Sequence, residues 1–191
     1  MGILLFRIYL LSGLVLHKAV WEVMRRRGGR PQPKKSQPLK TWVVSSAKLA
    51  VLTALVVQIL VPDLLPIFHA PKTVRVVGLV LFTLGWVTAV TARVQLGRNW
   101  SDIEKSCVIQ DHALVAHGLY GVVRHPIYTG DLLLLLGLEL ALNSWGVIGV
   151  VAIAVYVRQQ VIREEQSLLE GIPGYDQYCR RTARFLPFLP G

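Results

Sequence analysis

Residues 127–156 read IYTGDLLLLLGLELALNSWGVIGVVAIAVY, and this stretch decides the fold class. It holds two apolar runs, 127–142 and 145–156, which are separated only by the polar pair Asn143 and Ser144. Short apolar runs with so brief an interruption are typical of two antiparallel helices joined by a tight turn. The stretch therefore predicts a helical hairpin whose turn lies at the far surface of a membrane.

Three longer apolar runs precede the hairpin, at residues 3–20, 42–61 and 74–94. A helix that crosses a bilayer needs about 20 mostly apolar residues, and each run is close to that length. The composition agrees, because 53% of the 191 residues are hydrophobic and only 17% are charged. A soluble domain of this size is less apolar. The sequence predicts an all-α integral membrane protein with about five membrane-embedded helices.

The basic residues, which give the chain a net charge of +10, cluster in segments that flank the apolar runs. The loop 24–41 is rich in them, whereas the next loop, 62–73, carries only Lys72. Cytoplasmic loops carry the excess of Lys and Arg, so loop 24–41 is predicted to lie in the cytoplasm. The polar stretch 95–124 and the tail 158–191 then fall on the same face. Charges that follow topology predict a lipid bilayer as partner and no nucleic acid.

Residue types that carry chemistry are concentrated in the C-terminal half of the chain. We divide it into 1–94, three spans with the basic loop, and 95–191, the catalytic region. That region comprises a cofactor loop 95–126, the hairpin 127–161 and a cytoplasmic segment 162–191. A soluble cofactor-binding domain of the doubly wound type is not expected. Its GxGxxG motif is absent, and the several βαβ units of about 30 residues each that it needs do not fit into the sequence outside the spans. A nucleotide-type cofactor must be held by loops and helix ends at the membrane surface.

Residues 118–130 read GLYGVVRHPIYTG and place Arg124, His125 and Tyr128 around a proline. Proline suits the first turn of a helix, so this arginine and histidine face a helix N-terminus, which favours an anionic ligand. Glu164 and Glu165 stand where the last helix leaves the membrane. Carboxylates accept hydrogen bonds from ammonium or ribose groups, and Arg or His binds a carboxylate. The two segments together predict a pocket for a zwitterionic small molecule.

Residues 112–130, HALVAHGLYGVVRHPIYTG, closely resemble the HxLVxxGxYxxxRHPxYxG signature of the isoprenylcysteine carboxyl methyltransferases and the related phospholipid methyltransferases. The later EExxL of residues 164–168, followed by two tyrosines and a basic pair, is similar to the C-terminal motif of the same family. The resemblance covers residues 95–188 and implies a short member of bacterial or archaeal type. It implies methyl transfer from S-adenosyl-L-methionine to a membrane-embedded, lipid-like acceptor. Carboxyl O-methylation of an isoprenoid- or prenylcysteine-like substrate is the expected reaction.

The resemblance also implies which residues form the site. For the chemistry itself, a carboxylate acceptor needs only an arginine to orient it, namely Arg124, Arg158 or Arg163, and an amine or phenol needs a base, Glu165 or His125. Of these, Arg124, Arg163 and Glu165 are the expected catalytic residues. After methyl transfer, S-adenosyl-L-methionine leaves as S-adenosyl-L-homocysteine. The resemblance implies that the residues that bind this cofactor are His112, Ala113, Leu114, Val115, Tyr120, His125, Pro126, Ile127, Tyr128 and Glu164. The family's prenylcysteine enzymes place an arginine where this chain has Gln160. The histidine spacing lacks the short patterns of metal sites, so no metal is expected.

Other functions stay open at this point. A phospholipid N-methyltransferase or a membrane reductase with a nicotinamide cofactor would suit the same C-terminal region. A non-enzymatic protein that binds a lipid or haem-like group is disfavoured, because His17 is the only histidine well inside an early span. The expected partner is a membrane lipid or a lipidated small substrate. Neither the acceptor's identity nor the oligomeric state follows from the sequence.

Two carboxylates, Asp131 and Glu139, lie inside the first apolar run of the hairpin. A charge at that depth costs about 3 kcal/mol, so both should face the bundle interior and be paired. Arg93 and Arg124 are the expected partners, and both a catalytic and a structural role stay open. His17, near a span end, is expected to reach towards the interface.

Overall fold

The computed structural model describes residues 2–27, 38–61, 63–64, 66–97 and 114–187, and the regular secondary structure in these ranges is helical. Within them, α1 spans Ile3–Arg27, α2 Pro38–Leu60, α3 Lys72–Leu96, α4 Pro126–Ala141, α5 Val147–Gly171 and α6 Tyr175–Arg181. A short 3₁₀ helix, Gly118–Gly121, lies before α4. No β-sheet occurs among the described residues; two isolated bridges are the only extended pairings there.

The predicted hairpin is confirmed, with α4 and α5 joined by a turn at residues 142–146. Pro126 occupies the first turn of α4, as its fixed φ and missing N–H favour. Helix α5 continues well past the apolar run that ends at Tyr156. Its buried positions Val157, Val161 and Glu165 recur every four residues, which keeps one face of the extended helix against the protein.

Glycines allow α3 and α4 to pack backbone against backbone. Gly78 and Gly85 on α3 face α4, and Gly130 and Gly137 on α4 face α3. A Cβ atom at Gly137 would lie 2.1 Å from the backbone nitrogen of Phe82, so no side chain fits there without separating the helices. Small residues at such spacings let membrane helices approach closely. This antiparallel seam forms the centre of the molecule, and the other helices pack around it.

Helix α1 runs along α3 in the same direction and meets the seam through polar contacts. The indole nitrogen of Trp86 donates to the carbonyl of Gly13 over 3.0 Å. One turn further along α1, His17 Nε2 lies 2.9 Å from Asp131 Oδ1 on α4. His17 is therefore paired inside the bundle, and the expectation that it reaches towards the interface is wrong.

The expected arginine partners of the hairpin carboxylates are also corrected. Asp131 pairs with His17. Glu139 does face the interior, being 4% exposed, but its carboxylate contacts Ser144, and one of its oxygens lacks a hydrogen bond among the described residues. Arg93 instead donates to the carbonyl of Gly97, at the end of its own helix, over 2.9 Å. Sequence spacing could not tell that local helix capping would engage Arg93.

At the end of the bundle that carries the hairpin turn, which we call the outer end, Asn143 ties this turn to the loop between α2 and α3. Its amide nitrogen donates to Asp63 Oδ1 over 3.1 Å and to the carbonyl of Phe68 over 2.8 Å. Its amide oxygen accepts from Phe68 N, and its backbone oxygen accepts from Ile67 N, each over 3.0 Å. Asp63 also pairs with Arg75. We call this group, Asn143 with Asp63, Ile67, Phe68 and Arg75, the outer clasp.

Two of the described helices, α1 and α3, are long and apolar enough to cross a bilayer. Large apolar side chains such as Leu4, Val76 and Val151 are more than half exposed, which water would disfavour and lipid would not. The fold class is therefore helical with candidate membrane spans. That the chain has five membrane-embedded helices stays a prediction.

Candidate active site

The segment before α4 is anchored to α3 and to the end of the chain. Leu119 N donates to the side-chain oxygen of Gln95 over 2.9 Å, which places the 3₁₀ helix at the C-terminal end of α3. Tyr120, buried there, accepts a 2.7 Å hydrogen bond at its carbonyl from the Tyr178 hydroxyl on α6. Burial raises the pKa of Tyr178 to about 12, so this phenol stays protonated and keeps donating.

Four ionisable side chains converge at the end of the hairpin opposite its turn, which we call the inner end. Arg124 Nε lies 2.8 Å from Glu165 Oε1, and His125 Nε2 lies 3.1 Å from the same oxygen. Arg184 contacts Glu165 Oε2 through Nη2 at 2.8 Å and Nε at 3.0 Å. Arg124, His125 and Glu165 are each at most 6% exposed. We call this group, Arg124, His125, Glu165 and Arg184, the inner cluster.

Arg124 also holds the C-terminal segment in place. Its Nη1 donates to the carbonyls of Cys179 and Thr182, which lie at the end of α6, where a cation compensates the helix dipole. Its backbone N–H donates to Ala183 O over 2.8 Å, and the backbone N–H of His125 donates to Arg184 O over 3.1 Å. A parallel bridge thus runs between the segment before α4 and the tail. The charges and the backbone together lock these two segments to each other.

The cations keep Glu165 ionised. Burial by itself would raise the pKa of Glu165, but hydrogen bonds from His125, Arg184 and Arg124 outweigh it and lower the pKa to about 2. A carboxylate with so low a pKa is a weak base. Glu165 lies beyond the apolar part of α5, and its role here is to bind basic side chains from two segments of the chain.

A second carboxylate, Glu164, faces a more open flank. The Tyr128 hydroxyl donates a 2.8 Å hydrogen bond to Glu164 Oε2, and both side chains are half-buried. The Tyr128 ring stacks on His125 with the ring centroids 5.7 Å apart. Glu164 therefore has a tyrosine partner and accessible surface, whereas its neighbour Glu165 is enclosed. Such a half-buried carboxylate beside aromatic rings can accept hydrogen bonds from a bound small molecule.

The remaining predicted residues fall into separate environments. Arg163 is exposed and donates to the Gln160 side-chain oxygen over 3.3 Å, so these two residues share a face of α5. Ile127 and Val115 pack with Tyr120 and Ala92 in one hydrophobic cluster.

Leu114 is exposed at the edge of the described segment. Pro126 is buried at the start of α4. His112 and Ala113 lie outside the described residues.

The sequence places Arg184 among the basic residues of the C-terminal segment but does not identify its partner, Glu165, which Arg184 binds through two nitrogens. Two further residues were not predicted: Thr129, which donates to the carbonyls of His125 and Phe185, and Trp21, which packs on the cluster around Tyr120. Arg184 carried no local signal, because its partner is set by how the tail folds back. Trp21 and His17, on one face of α1 and four residues apart, formed a pattern that could have been noticed.

Comparison with known proteins identifies related sequences. The family model for phospholipid methyltransferases matches residues 73–174, which contain α3, α4 and α5. The protein-S-isoprenylcysteine O-methyltransferase of Saccharomyces cerevisiae is 32% identical over 152 residues, covering 76% of this chain and 63% of the relative. A cobalt-zinc-cadmium resistance protein of Cupriavidus metallidurans is 37% identical over 111 residues, 57% of this chain and 50% of the relative. The chain thus spans half to under two thirds of these relatives.

A solved structure shares the fold. It is that of a eukaryotic intramembrane Ras methyltransferase, isoprenylcysteine carboxyl methyltransferase, and it superposes with a TM-score of 0.61 at 20% sequence identity. The match covers 97% of this chain and 69% of that one. The superposition thus extends over nearly the whole chain, and at this level of identity it shows a shared fold.

Proposed function

The chain belongs to the phospholipid methyltransferase family, and from that membership we propose that it is a multi-pass membrane enzyme that methylates a lipid-like acceptor. The methyl donor is S-adenosyl-L-methionine, and the active face lies in the cytoplasm. The observation that carries the proposal is the half-buried Tyr128–Glu164 pair, which lies within the family match and beside the inner cluster.

The described residues fit such a donor. Glu164 offers a carboxylate to ammonium or ribose hydroxyl groups, and Tyr128 and Val115, both half-buried, offer aromatic and apolar surface. His125, held by Glu165, lies against the Tyr128 ring and fixes its orientation. S-adenosyl-L-methionine, when bound, supplies a methyl group already activated on a sulfonium. The protein's task is then to align donor and acceptor and to keep water out.

Arg124 and Glu165 act as positioning residues in this proposal, in place of the acceptor-orienting and proton-accepting roles that the sequence suggested. Both are buried, and they bind each other and the carbonyls at the end of α6. Their contacts set the spacing between the start of α4 and the end of α5. That spacing fixes Tyr128 relative to Glu164, because these residues are neighbours of His125 and Glu165 along the chain.

The acceptor we favour is the carboxylate of a prenylcysteine-like lipid, which is the kind of substrate named for the yeast relative. A carboxylate is ionised at neutral pH and needs no general base, only a cation that orients it. Arg163 is the exposed cation on this face of α5, and its hydrogen bond to Gln160 places it next to the position that departs from the family pattern. An amine acceptor, as in a phospholipid N-methyltransferase, is the second candidate, because Gln160 supplies no charge for a carboxylate.

Two substitutions on α5 test the acceptor class by transfer of labelled methyl to S-farnesylcysteine and, in parallel, to a total membrane lipid extract. We expect weak turnover of S-farnesylcysteine, raised by Gln160→Arg and abolished by Arg163→Ala, since a lost charge-assisted contact costs about 1.5–3 kcal/mol. Arg158→Ala is the matched control, because Arg158 is exposed two residues before Gln160 and faces nearly the opposite side of the helix.

Robust turnover of S-farnesylcysteine that neither Gln160→Arg nor Arg163→Ala alters would remove both residues from the acceptor site. Methylation of the lipid extract alone, on nitrogen, would favour the second candidate. No transfer to either preparation would contradict methyl transfer as the activity.

A further inference from the structure

A buried carboxylate near the hairpin turn takes no part in the proposed activity. Glu139 lies in the last turn of α4 and is 4% exposed, and its Oε2 has no hydrogen-bond partner among the described residues. The described part of the chain also brings no basic side chain into a salt bridge with it. An ionisable residue inside an apolar segment is costly to keep and marks a candidate functional site.

Ser144 links this carboxylate to α2. Its hydroxyl oxygen accepts hydrogen bonds from Gly146 N over 2.9 Å and from Gln58 Nε2 over 3.2 Å. The hydroxyl hydrogen is then left for the Glu139 carboxylate, which Ser144 contacts. The side-chain oxygen of Gln58 is buried and also has no hydrogen-bond partner among the described residues. Two acceptor oxygens that lack a donor thus belong to side chains that both contact Ser144.

The surroundings of Glu139 favour a bound cation. The last carbonyls of α4 give this end of the helix a partial negative charge, which adds to that of the carboxylate. A proton on the carboxyl group would neutralise the charge, but it would serve at most one of the two acceptor oxygens that lack a donor. A metal cation can be coordinated by Glu139 Oε2 and Gln58 Oε1 together, and by the Ser144 hydroxyl oxygen between their side chains.

The ligand set indicates the class of cation. Carboxylate, amide and hydroxyl oxygens are ligands that hard cations prefer. The carboxylate of the outer clasp, Asp63, is already bound by Arg75 and Asn143, so Glu139 supplies a single negative charge, which one monovalent cation balances. The described residues contain no group of three or more His, Cys, Asp or Glu side chains that could hold a metal ion, so a zinc-type site is not indicated there.

We infer that Glu139, Gln58 and Ser144 form a binding site for a monovalent metal cation, sodium or potassium, at the outer end of the bundle. The cation neutralises Glu139 and ties α2 to the hairpin turn, so its binding stabilises the fold. The site lies at the opposite end of the hairpin from the inner cluster. The inference therefore does not depend on methyl transfer.

The test is thermal unfolding of the detergent-solubilised protein in sodium, potassium or N-methyl-D-glucamine chloride at equal ionic strength. A ligand that binds only the folded protein stabilises it by mass action. The Tm should be about 3–6 °C higher in sodium or potassium when that ion exceeds its Kd about tenfold. Glu139→Gln, which keeps the shape and removes the charge, should lose this difference. Glu170→Gln is the matched control, because it removes an exposed carboxylate of α5 and should keep the difference.

Gly146→Ala is a second variant, which keeps the carboxylate. Gly146 has φ of −55°, which alanine adopts without strain, but the added Cβ would occupy the space beside Glu139 Oε2. This variant should also lose the cation-dependent difference in Tm, whereas Gly149→Ala, with open space around its Cβ, should keep it. The inference is overturned if neither sodium nor potassium raises the wild-type Tm, or if Glu139→Gln keeps the full difference.

Discussion

The two ends of the helical hairpin are each fastened by a polar network, but the networks differ in kind. The outer clasp centres on one neutral side chain, Asn143, which is fully buried and binds mostly backbone groups of a single loop. The inner cluster centres on a carboxylate, Glu165, which binds three basic side chains from two separate segments. Asn143 forms hydrogen bonds through both its amide nitrogen and its amide oxygen, whereas the inner cluster holds more basic side chains than carboxylates.

We interpret this difference as one between a structural junction and the proposed active site. A satisfied amide in a turn fixes geometry and leaves little with which to bind a ligand. Burying several charges together is expensive, and such clusters are retained where their placement serves a purpose. Next to the inner cluster, the Tyr128–Glu164 pair has accessible surface. We therefore propose that the inner end carries out the chemistry and that the outer end stabilises the fold.

Glu165→Gln should have the largest effect on stability of the substitutions considered, and it changes the inner end alone. It leaves Arg124, Arg184 and His125 without their shared anion, so we expect the free energy of unfolding to fall by about 3–5 kcal/mol. We also expect S-adenosyl-L-homocysteine binding to be lost. Thermal unfolding in detergent and equilibrium binding measure the two effects. A variant with wild-type stability would mean that the inner cluster contributes no more than a surface salt bridge.

The same variant predicts a pH dependence. The pKa of Glu165 falls from 4.5 to about 2 on folding, so its stabilising effect is complete above the higher value and is lost as the pH falls towards the lower one. The stability difference between wild type and Glu165→Gln should therefore be constant at neutral pH and shrink below about pH 4.5. A difference that stays constant down to about pH 3 would contradict the ionised state of Glu165.

Gly137→Ala tests the seam that both ends share. A Cβ atom there meets the backbone of α3 and cannot be accommodated, so we expect a loss of about 1–3 kcal/mol that affects both ends equally. Gly149→Ala on α5 is the matched control, because nothing lies within 4 Å of its Cβ, and alanine should be neutral or slightly stabilising. Urea or thermal unfolding of the two variants distinguishes them. Equal stability would argue against close backbone packing of α3 and α4.

Asn143→Gly sharpens the comparison from the outer side. Asn143 has φ of 55°, which glycine adopts without strain, so the substitution removes the amide and little else. We expect a loss of about 1–2 kcal/mol of stability and an unchanged Kd for S-adenosyl-L-homocysteine in the folded protein. A weakened Kd at constant fold would show that the outer clasp acts on the site and would break the proposed separation.

Much of the fold could be predicted from local patterns. The hairpin followed from an apolar run broken by Asn143 and Ser144, and the helix start at Pro126 followed from proline's fixed φ. The partners of charged residues could not be predicted in this way. Asp131 binds His17 from a distant helix, and Glu165 binds Arg184 from the tail, because tertiary packing chooses among several arginines and histidines that sequence spacing leaves equivalent. The neighbouring carboxylates Glu164 and Glu165 likewise took different environments, set by the direction of each on α5.

Equilibrium binding of S-adenosyl-L-homocysteine and of NADPH to detergent-solubilised protein tests the central claim most directly. The account predicts that S-adenosyl-L-homocysteine binds and NADPH does not. Glu164→Ala should weaken that binding about tenfold or more, as loss of a charge-assisted hydrogen bond implies. Glu170→Ala should not, since Glu170 is exposed further along the same helix. NADPH binding without S-adenosyl-L-homocysteine binding, or equal binding by wild type and Glu164→Ala, would contradict the assignment of a methyl-donor site to the inner end.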